Sequence, residues 1–240
     1  MKMIVGQMST EASIDQIIRP PTLTKAVAAN LRDAILRGKL APGHALREEE
    51  LSSNMGVSRG TVREALRLLR EEGLVEVFTH RGVYVTQISC EKAHEVYTLR
   101  ALLEPYAVRV ALQRHAYRPH DLAQLQETVH KLGEYERLGD ILSEIRTDQE
   151  FHTQICAPCK HQLLLSIQES LQSLMSLFML STKIYHADPY NNEEQHQEVL
   201  DALLTGIPER GEMVLRQHIE RSGESLLRRI KEVTAAQSPV

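Results

Sequence analysis

Apolar residues alternate at period two in one short stretch, Val75 and Val77 and then Val83 and Val85, on either side of Thr79-His80-Arg81-Gly82. Alternation broken by turn residues predicts a β-hairpin. On both sides the period is helical, so the chain must fold as a hairpin set between helices. Val27, Leu31, Ala34 and Ile35 share one face of a first helix, which begins near Leu23 and stops near Gly38, a residue able to take the left-handed C-terminal conformation. Leu40-Ala41-Pro42-Gly43 reads as a turn, and a second helix runs from near Arg47 through Leu51 to Asn54. A third starts at Ser58, whose hydroxyl can cap it, and continues to about Glu72 before Gly73.

Helix, helix, turn, helix, hairpin is the element order of a winged helix-turn-helix. Beyond Ile88 helices are predicted near 89–116, 119–138, 141–156, 160–186, 191–206 and 208–233. The breaks fall at Arg118-Pro119, Leu138-Gly139, Ala157-Pro158, Asp188-Pro189 and Ile207-Pro208. The expected fold class is mainly α. A flexible tail (1–21) precedes a winged helix-turn-helix (22–88), followed by an antiparallel all-α helical bundle (89–240).

Composition narrows the class further. No apolar run is expected to approach the ~20 residues of a membrane helix, and Met1–Pro20 has no continuous apolar stretch of the kind a secretory signal carries. Three cysteines do not make a disulfide framework, so a cytoplasmic protein without a membrane partner is expected. The net charge of −4 argues at first against nucleic acid. Its distribution does not: residues 21–88 hold ten Lys/Arg against eight Asp/Glu, whereas 89–240 hold sixteen against twenty-two. A weakly basic module on an acidic body is compatible with DNA if the positive charges share a face.

The third helix has such a face. Val62, Ala65, Leu66 and Leu69 form its buried stripe, while Arg59 and Arg63 lie one turn apart on another side, followed by Arg67 and Arg70. Arginine there can fork onto guanine O6 and N7 or onto phosphates. Ser58 and Thr61 are further polar candidates, and His80, Arg81 and Gly82 at the hairpin tip suit a minor-groove or phosphate contact. An amphipathic helix with a solvated arginine face would look the same in isolation. The Gly56-Val57-Ser58 turn and the hairpin that follows favour DNA reading.

In the helical part, Asp148 and His152 stand four apart on one predicted helix, and His196 and His218 fall on two later ones. Three imidazoles and a carboxylate converging in a bundle would suit a first-row divalent ion with open positions for a ligand. Spacing alone is weak support in a chain with eleven histidines, where a surface or hydrogen-bonded role is the commoner one. Cys156-Ala157-Pro158-Cys159 has redox-pair spacing but lies at a helix break rather than in a βαβ setting, so a redox or metal role is not expected. Leu164, Ile167, Leu171, Leu174, Met175 and Phe178 form a stripe suited to core packing, with a dimer interface as an addition.

Four runs carry a resemblance. They are Leu31-Arg32-Asp33-Ala34-Ile35-Leu36-Arg37-Gly38-Lys39-Leu40-Ala41-Pro42-Gly43, Leu46-Arg47-Glu48-Glu49-Glu50-Leu51, Gly56-Val57-Ser58-Arg59-Gly60-Thr61-Val62-Arg63-Glu64-Ala65-Leu66, and Glu72-Gly73-Leu74-Val75. In that order and spacing they resemble the GntR family of bacterial regulators over about residues 23–88, and the helical remainder is similar to the FCD effector domain of the FadR subfamily. The resemblance implies that Arg59 and Arg63 contact an operator and that the Arg81-Gly82 region approaches the minor groove. Many relatives carry a DNA-contacting arginine where this chain has Glu49, which implies a shifted operator preference.

It further implies a metal held by Asp148, His152, His196 and His218, with Zn²⁺ the first expectation and Ni²⁺ or Mn²⁺ as alternatives. Members that bind fatty acyl-CoA lack these histidines. Arg100 matches an arginine common in the first helix of that domain, and either a bidentate contact to a carboxylate effector or a salt bridge to a buried acid such as Asp148 would suit it. The resulting expectation is a homodimeric, ligand-responsive repressor, not an enzyme, that binds a palindromic double-stranded operator and a small carboxylate. A metallohydrolase and a sensor of the ion itself are the alternatives. Against the hydrolase, the chain has no HExxH and no evident general base beside the candidate ligands.

Overall fold

The computed structural model describes residues 23–182 and 192–237. The N-terminal tail and the Asp188-Pro189 break lie outside the described residues. Helix α1 (Leu23–Leu36) buries Val27, Ala28, Leu31 and Ile35 against Val62, Ala65, Leu66 and Leu69 of α3 (Arg59–Glu71), with α2 (Glu48–Met55) packed beside α3. Gly56 ends α2 in the left-handed conformation at φ +63°. Two residues later the Ser58 hydroxyl accepts from the Thr61 N–H at 3.1 Å, capping α3 as its sequence predicts.

Strands β1 (Val75–Phe78) and β2 (Gly82–Val85) pair antiparallel, with Val75 opposite Val85 and Val77 opposite Val83. The base of the hairpin is buried at Val75 and Val85, whereas Val77 and Phe78 towards the tip are exposed. The α1–α2 connection contributes a third edge to this wing. Ala45 bridges Tyr84, and the Leu46 N–H donates to the Val83 carbonyl at 2.8 Å.

The remainder is helical: α4 (Cys90–Gln113), α5 (Pro119–Leu138), α6 (Ile141–Cys156), a single 3-10 turn (Ala157–Cys159), α7 (Gln162–Thr182), α8 (Asn192–Leu204) and α9 (Pro208–Gln237). The breaks carry the predicted chemistry: Pro119 opens α5, Gly139 closes it at φ +67°, and Pro208 opens α9. Helix α4 ends three residues earlier than the predicted 116, and α9 runs past the predicted 233.

Pro105 lies inside α4 and cannot donate to the carbonyl of Ala101, one turn back. Arg216 on α9 supplies the missing donor, its Nη1 reaching that carbonyl at 2.6 Å. The two helices approach closely because α9 has glycine at the contacts. A Cβ on Gly211 would sit 2.6 Å from Leu112, and one on Gly223 would sit 2.9 Å from Tyr97.

Helix α7 is the most apolar of the described helices, with a mean hydropathy of 1.3 over an 18-residue window, but Gln168, Glu169 and Gln172 interrupt it, so it holds no continuous apolar run of membrane-crossing length. Two of its glutamines are spent on a neighbouring helix: Gln168 donates to the His152 carbonyl at 2.7 Å and Gln172 to the Thr153 hydroxyl at 2.6 Å. Leu164, Leu174, Met175 and Phe178 of the predicted stripe are buried, whereas Ile167 is 36% exposed. α7 also touches the winged module. Ser173 donates to Glu72 at 3.3 Å, Glu72 accepts from Arg32 of α1, and Leu174 lies over Gly73.

Candidate functional site

The exposed side of α3 presents Arg59, Arg63 and Arg67, and each is paired with acid. Arg59 Nη2 donates to Glu49 Oε1 at 2.5 Å. Arg63 holds Glu48 through two bonds, Nε–Oε1 at 3.0 Å and Nη2–Oε2 at 2.7 Å. Arg67 lies between Glu64 and Glu71 of its own helix. The Arg63 hydrogen bond draws the Glu48 carboxyl below its ordinary range. At the wing tip His80 takes φ +65° and Gly82 φ +103°, so the turn depends on left-handed residues, and the Tyr84 hydroxyl donates to the Arg81 carbonyl at 3.0 Å. Ser58 and Thr61 share a 2.8 Å hydroxyl contact at the start of α3, beside Arg59.

In the bundle, α6 places Glu144, Asp148 and His152 one turn apart on a buried face. His196 comes from α8 and His218 from α9, both buried. One ring nitrogen from each of the three histidines lies within 4.8 Å of the other two. Asp148 joins them through His196, its Oδ1 lying 3.2 Å from His196 Nε2.

Hydrogen bonds set the tautomers. His152 Nδ1 donates to Glu104 Oε2 at 2.7 Å, and His196 Nδ1 donates to the Asn192 carbonyl at 2.7 Å. In the neutral rings this leaves Nε2 of each as a lone-pair acceptor. His196 Nε2, His218 Nδ1 and Asp148 Oδ2 are buried without a hydrogen-bond partner. The His196–Asp148 approach is therefore a close contact without a directed hydrogen bond. A lone pair facing a carboxylate in a dry interior is repulsive unless a proton or cation lies between them. Three imidazoles and a carboxylate form a donor set that fits a first-row divalent ion such as Zn²⁺.

Burial keeps the His152 imidazole below its usual pKa, although Glu104 opposes the shift. Burial, with His196 and His152 beside it, keeps His218 well below its own. Burial works against ionising Asp148, whereas the positive charge of Arg100 favours its ionised form and holds it below the ordinary range. His152 and His218 are thus held towards the neutral form that metal ligation requires.

Arg100 forms the salt bridge to a buried acid that was one of its two expected roles, with Glu104 as the acid in place of Asp148. Its Nε donates to Glu104 Oε1 at 2.6 Å, one turn along α4, and its guanidinium lies 5.2 Å from the Tyr97 ring centre. Glu104 therefore links Arg100 to His152. Sequence reasoning missed it because an Arg–Glu pair four apart reads as an ordinary solvated ion pair. Arg100, Glu104, Asp148 and His152 border a cavity of about 10 Å³, closed by Gln149, Gln168 and Met175. Asn192 was also missed: its Nδ2 donates to Glu144 at 2.7 Å, and its carbonyl positions His196. Cys156 and Cys159 are buried free thiols, and burial pushes Cys156 well above its usual pKa, the opposite of a reactive thiolate.

Residues 23–85 match the family described as bacterial regulatory proteins, gntR family, and residues 95–221 match the FCD domain. The chain is 28% identical to the HTH-type transcriptional regulator BphR of Paraburkholderia xenovorans (strain LB400), over 88% of each chain. It is 29% identical to the HTH-type transcriptional repressor GlaR of Escherichia coli (strain K12), over 79% of this chain and 89% of that one. A GntR transcriptional regulator from Rhodococcus sp. RHA1 superposes with a TM-score of 0.71 at 27% identity, covering 85% of this chain and 97% of the other. With a winged helix-turn-helix that ends in exposed arginines and a helical domain matched over more than half the chain, the protein belongs to the GntR family of bacterial transcriptional regulators with an FCD domain, and it is not an enzyme.

Proposed function

We propose that the chain is a ligand-responsive repressor that binds a palindromic operator as a homodimer, with a divalent ion in the helical domain holding a small carboxylate effector. The observation that carries the effector half is the convergence of three buried imidazoles, with His196 Nε2, His218 Nδ1 and Asp148 Oδ2 left unpartnered. Asp148, His152, His196 and His218 would hold the ion, which as a Lewis acid can take a carboxylate oxygen in an open position. Arg100 lies beside the group and would orient that carboxylate. Ser58, Arg59, Thr61, Arg63 and Arg67 would meet the operator from α3, and His80, Arg81 and Gly82 from the wing. The name of the E. coli relative as a repressor supports the sign of regulation, and two-fold symmetry suits a palindrome.

The test is metal content per chain in untagged protein, beside His152→Ala and His218→Ala, followed by a screen of small carboxylates for release of DNA. About one divalent ion per chain, lost in both variants, supports the four-ligand site. Protein that takes up no Zn²⁺, Ni²⁺ or Mn²⁺ refutes the effector mechanism and leaves DNA binding intact. The size of the cavity beside Arg100 favours a second reading, in which the ion itself is the signal. At about 10 Å³ it has room for about one water, so a carboxylate must displace a wall side chain such as Gln149 or Met175. Operator affinity that responds to metal alone would establish that reading.

A further inference from the structure

We propose that Glu49 and Arg59 read the operator as one unit, in which Glu49 selects a cytosine through its N4 amino group. The inference rests on α3 being the helix that enters the major groove. Glu49 stands in the first turn of α2, and its carboxylate meets Arg59 at the N-terminal end of α3. Both side chains are open to solvent, 77% exposed for Glu49 and 60% for Arg59, so neither is committed to the protein core.

The neighbouring pair is built differently. Glu48 is 30% exposed and grips Arg63 with both oxygens, which makes it a support for that guanidinium. Glu49 uses Oε1 alone on Arg59, and Oε2 is left for an outside partner.

Chemistry limits what that partner is. An ionised carboxylate only accepts hydrogen bonds and is repelled by phosphates, so on DNA it must face a base donor. The major groove offers two, cytosine N4 and adenine N6. Adenine carries the N7 acceptor beside its amino group, which opposes a carboxylate, and cytosine does not. The guanine paired with that cytosine presents O6 and N7, the acceptors a guanidinium fork takes. An Arg–Glu pair is thus complementary to a G·C pair, with Arg59 on the purine and Glu49 on the pyrimidine. Because the two charges cancel, the unit adds little attraction to random phosphate backbone. It raises discrimination rather than overall affinity.

The test is selection of binding sites from a randomised duplex pool by the full chain, using wild type, Glu49→Gln and Glu49→Ala. Wild type should enrich cytosine at one position of each half-site, and replacing that base should weaken binding roughly five- to hundredfold. Glu49→Gln should move the preference there to adenine, because a carboxamide pairs with N6 and N7 together. Glu49→Ala should lose the preference at that position and keep the rest of the motif. The same motif with the same preference in all three proteins overturns the proposal and leaves the DNA-reading role of α3 standing. A wild-type chain that enriches no motif overturns both. Circular dichroism of the variants controls for folding, which substitution of so exposed a side chain should leave unchanged.

Discussion

Arg63 and Glu104 are each held by their neighbours in the pose their role would need. With Nε and one Nη on Glu48, the Arg63 guanidinium has one orientation before any DNA arrives. Arg63→Ala should therefore cost about 1–3 kcal/mol on the selected operator and much less on random duplex. Equal loss on both would make Arg63 a phosphate contact. Glu104 fixes the His152 tautomer and raises the basicity of the nitrogen that faces inward. Glu104→Gln should weaken divalent-ion binding about 10- to 100-fold, read with Co²⁺ by its visible absorption; an unchanged affinity would remove Glu104 from the site's design.

The same buried groups give the metal-free protein a defined response to pH. His218 is held well below 6.5, so between its folded pKa and 6.5 the unfolded chain binds more protons. Its contribution is complete above about 6.5 and is lost as pH falls below that value. Glu144 runs the other way. Burial raises it from 4.5 to about 7, so ionising it opposes folding, and that penalty grows as pH rises from 4.5 through 7. Glu144→Gln should gain on wild type in urea midpoint as pH rises from 5 to 8, and His218→Gln should flatten the decline below 6.5. A Glu144→Gln advantage that is constant with pH would mean that the carboxyl is not held neutral.

At the scale of elements, much of the architecture could be read in advance. The α3 stripe and the wing alternation each have one period and one buried side, so burial and pattern agree. Proline and glycine marked the breaks where they stand at helix ends. Pro105 shows the limit of that rule: its effect depends on Arg216, 111 positions further along, and no local pattern reports a donor on another helix. The same holds for the site. The spacing of Asp148 and His152 on one helix was legible, but convergence with His196 and His218 was inferred only from the family resemblance. Glu104 was hidden because α4 is buried on several sides and carries no clean polar face. The α4–α9 contact makes its own prediction. Gly223→Ala places a methyl against the Tyr97 ring and should cost about 1–3 kcal/mol in denaturant unfolding. A neutral result would mean that α9 can shift away at no cost.

Across the whole molecule, Glu72 is where the reading module and the helical domain meet, since it bonds Arg32 of α1 and Ser173 of α7 at once. Gln149, a wall of the cavity beside His152, donates to Ser176 on the same α7 helix at 2.6 Å, so candidate site and joint share one element. Glu72→Ala should leave both domains folded but bring the ratio of operator affinities, Zn²⁺-loaded against metal-free, closer to one. A ratio that does not move would place the communication elsewhere.

Leu174 resting over Gly73 gives that joint a mechanical meaning. It pins the far end of a 13-residue lever whose working end is Arg59. At 1.5 Å per residue the arm is about 20 Å long, so a tilt of about 10° at the fulcrum sweeps the tip through about 3.4 Å, one rung of the DNA ladder. A rigid tilt of the winged module too small to disturb the packing of either domain would suffice to move Arg59 by one base-pair step.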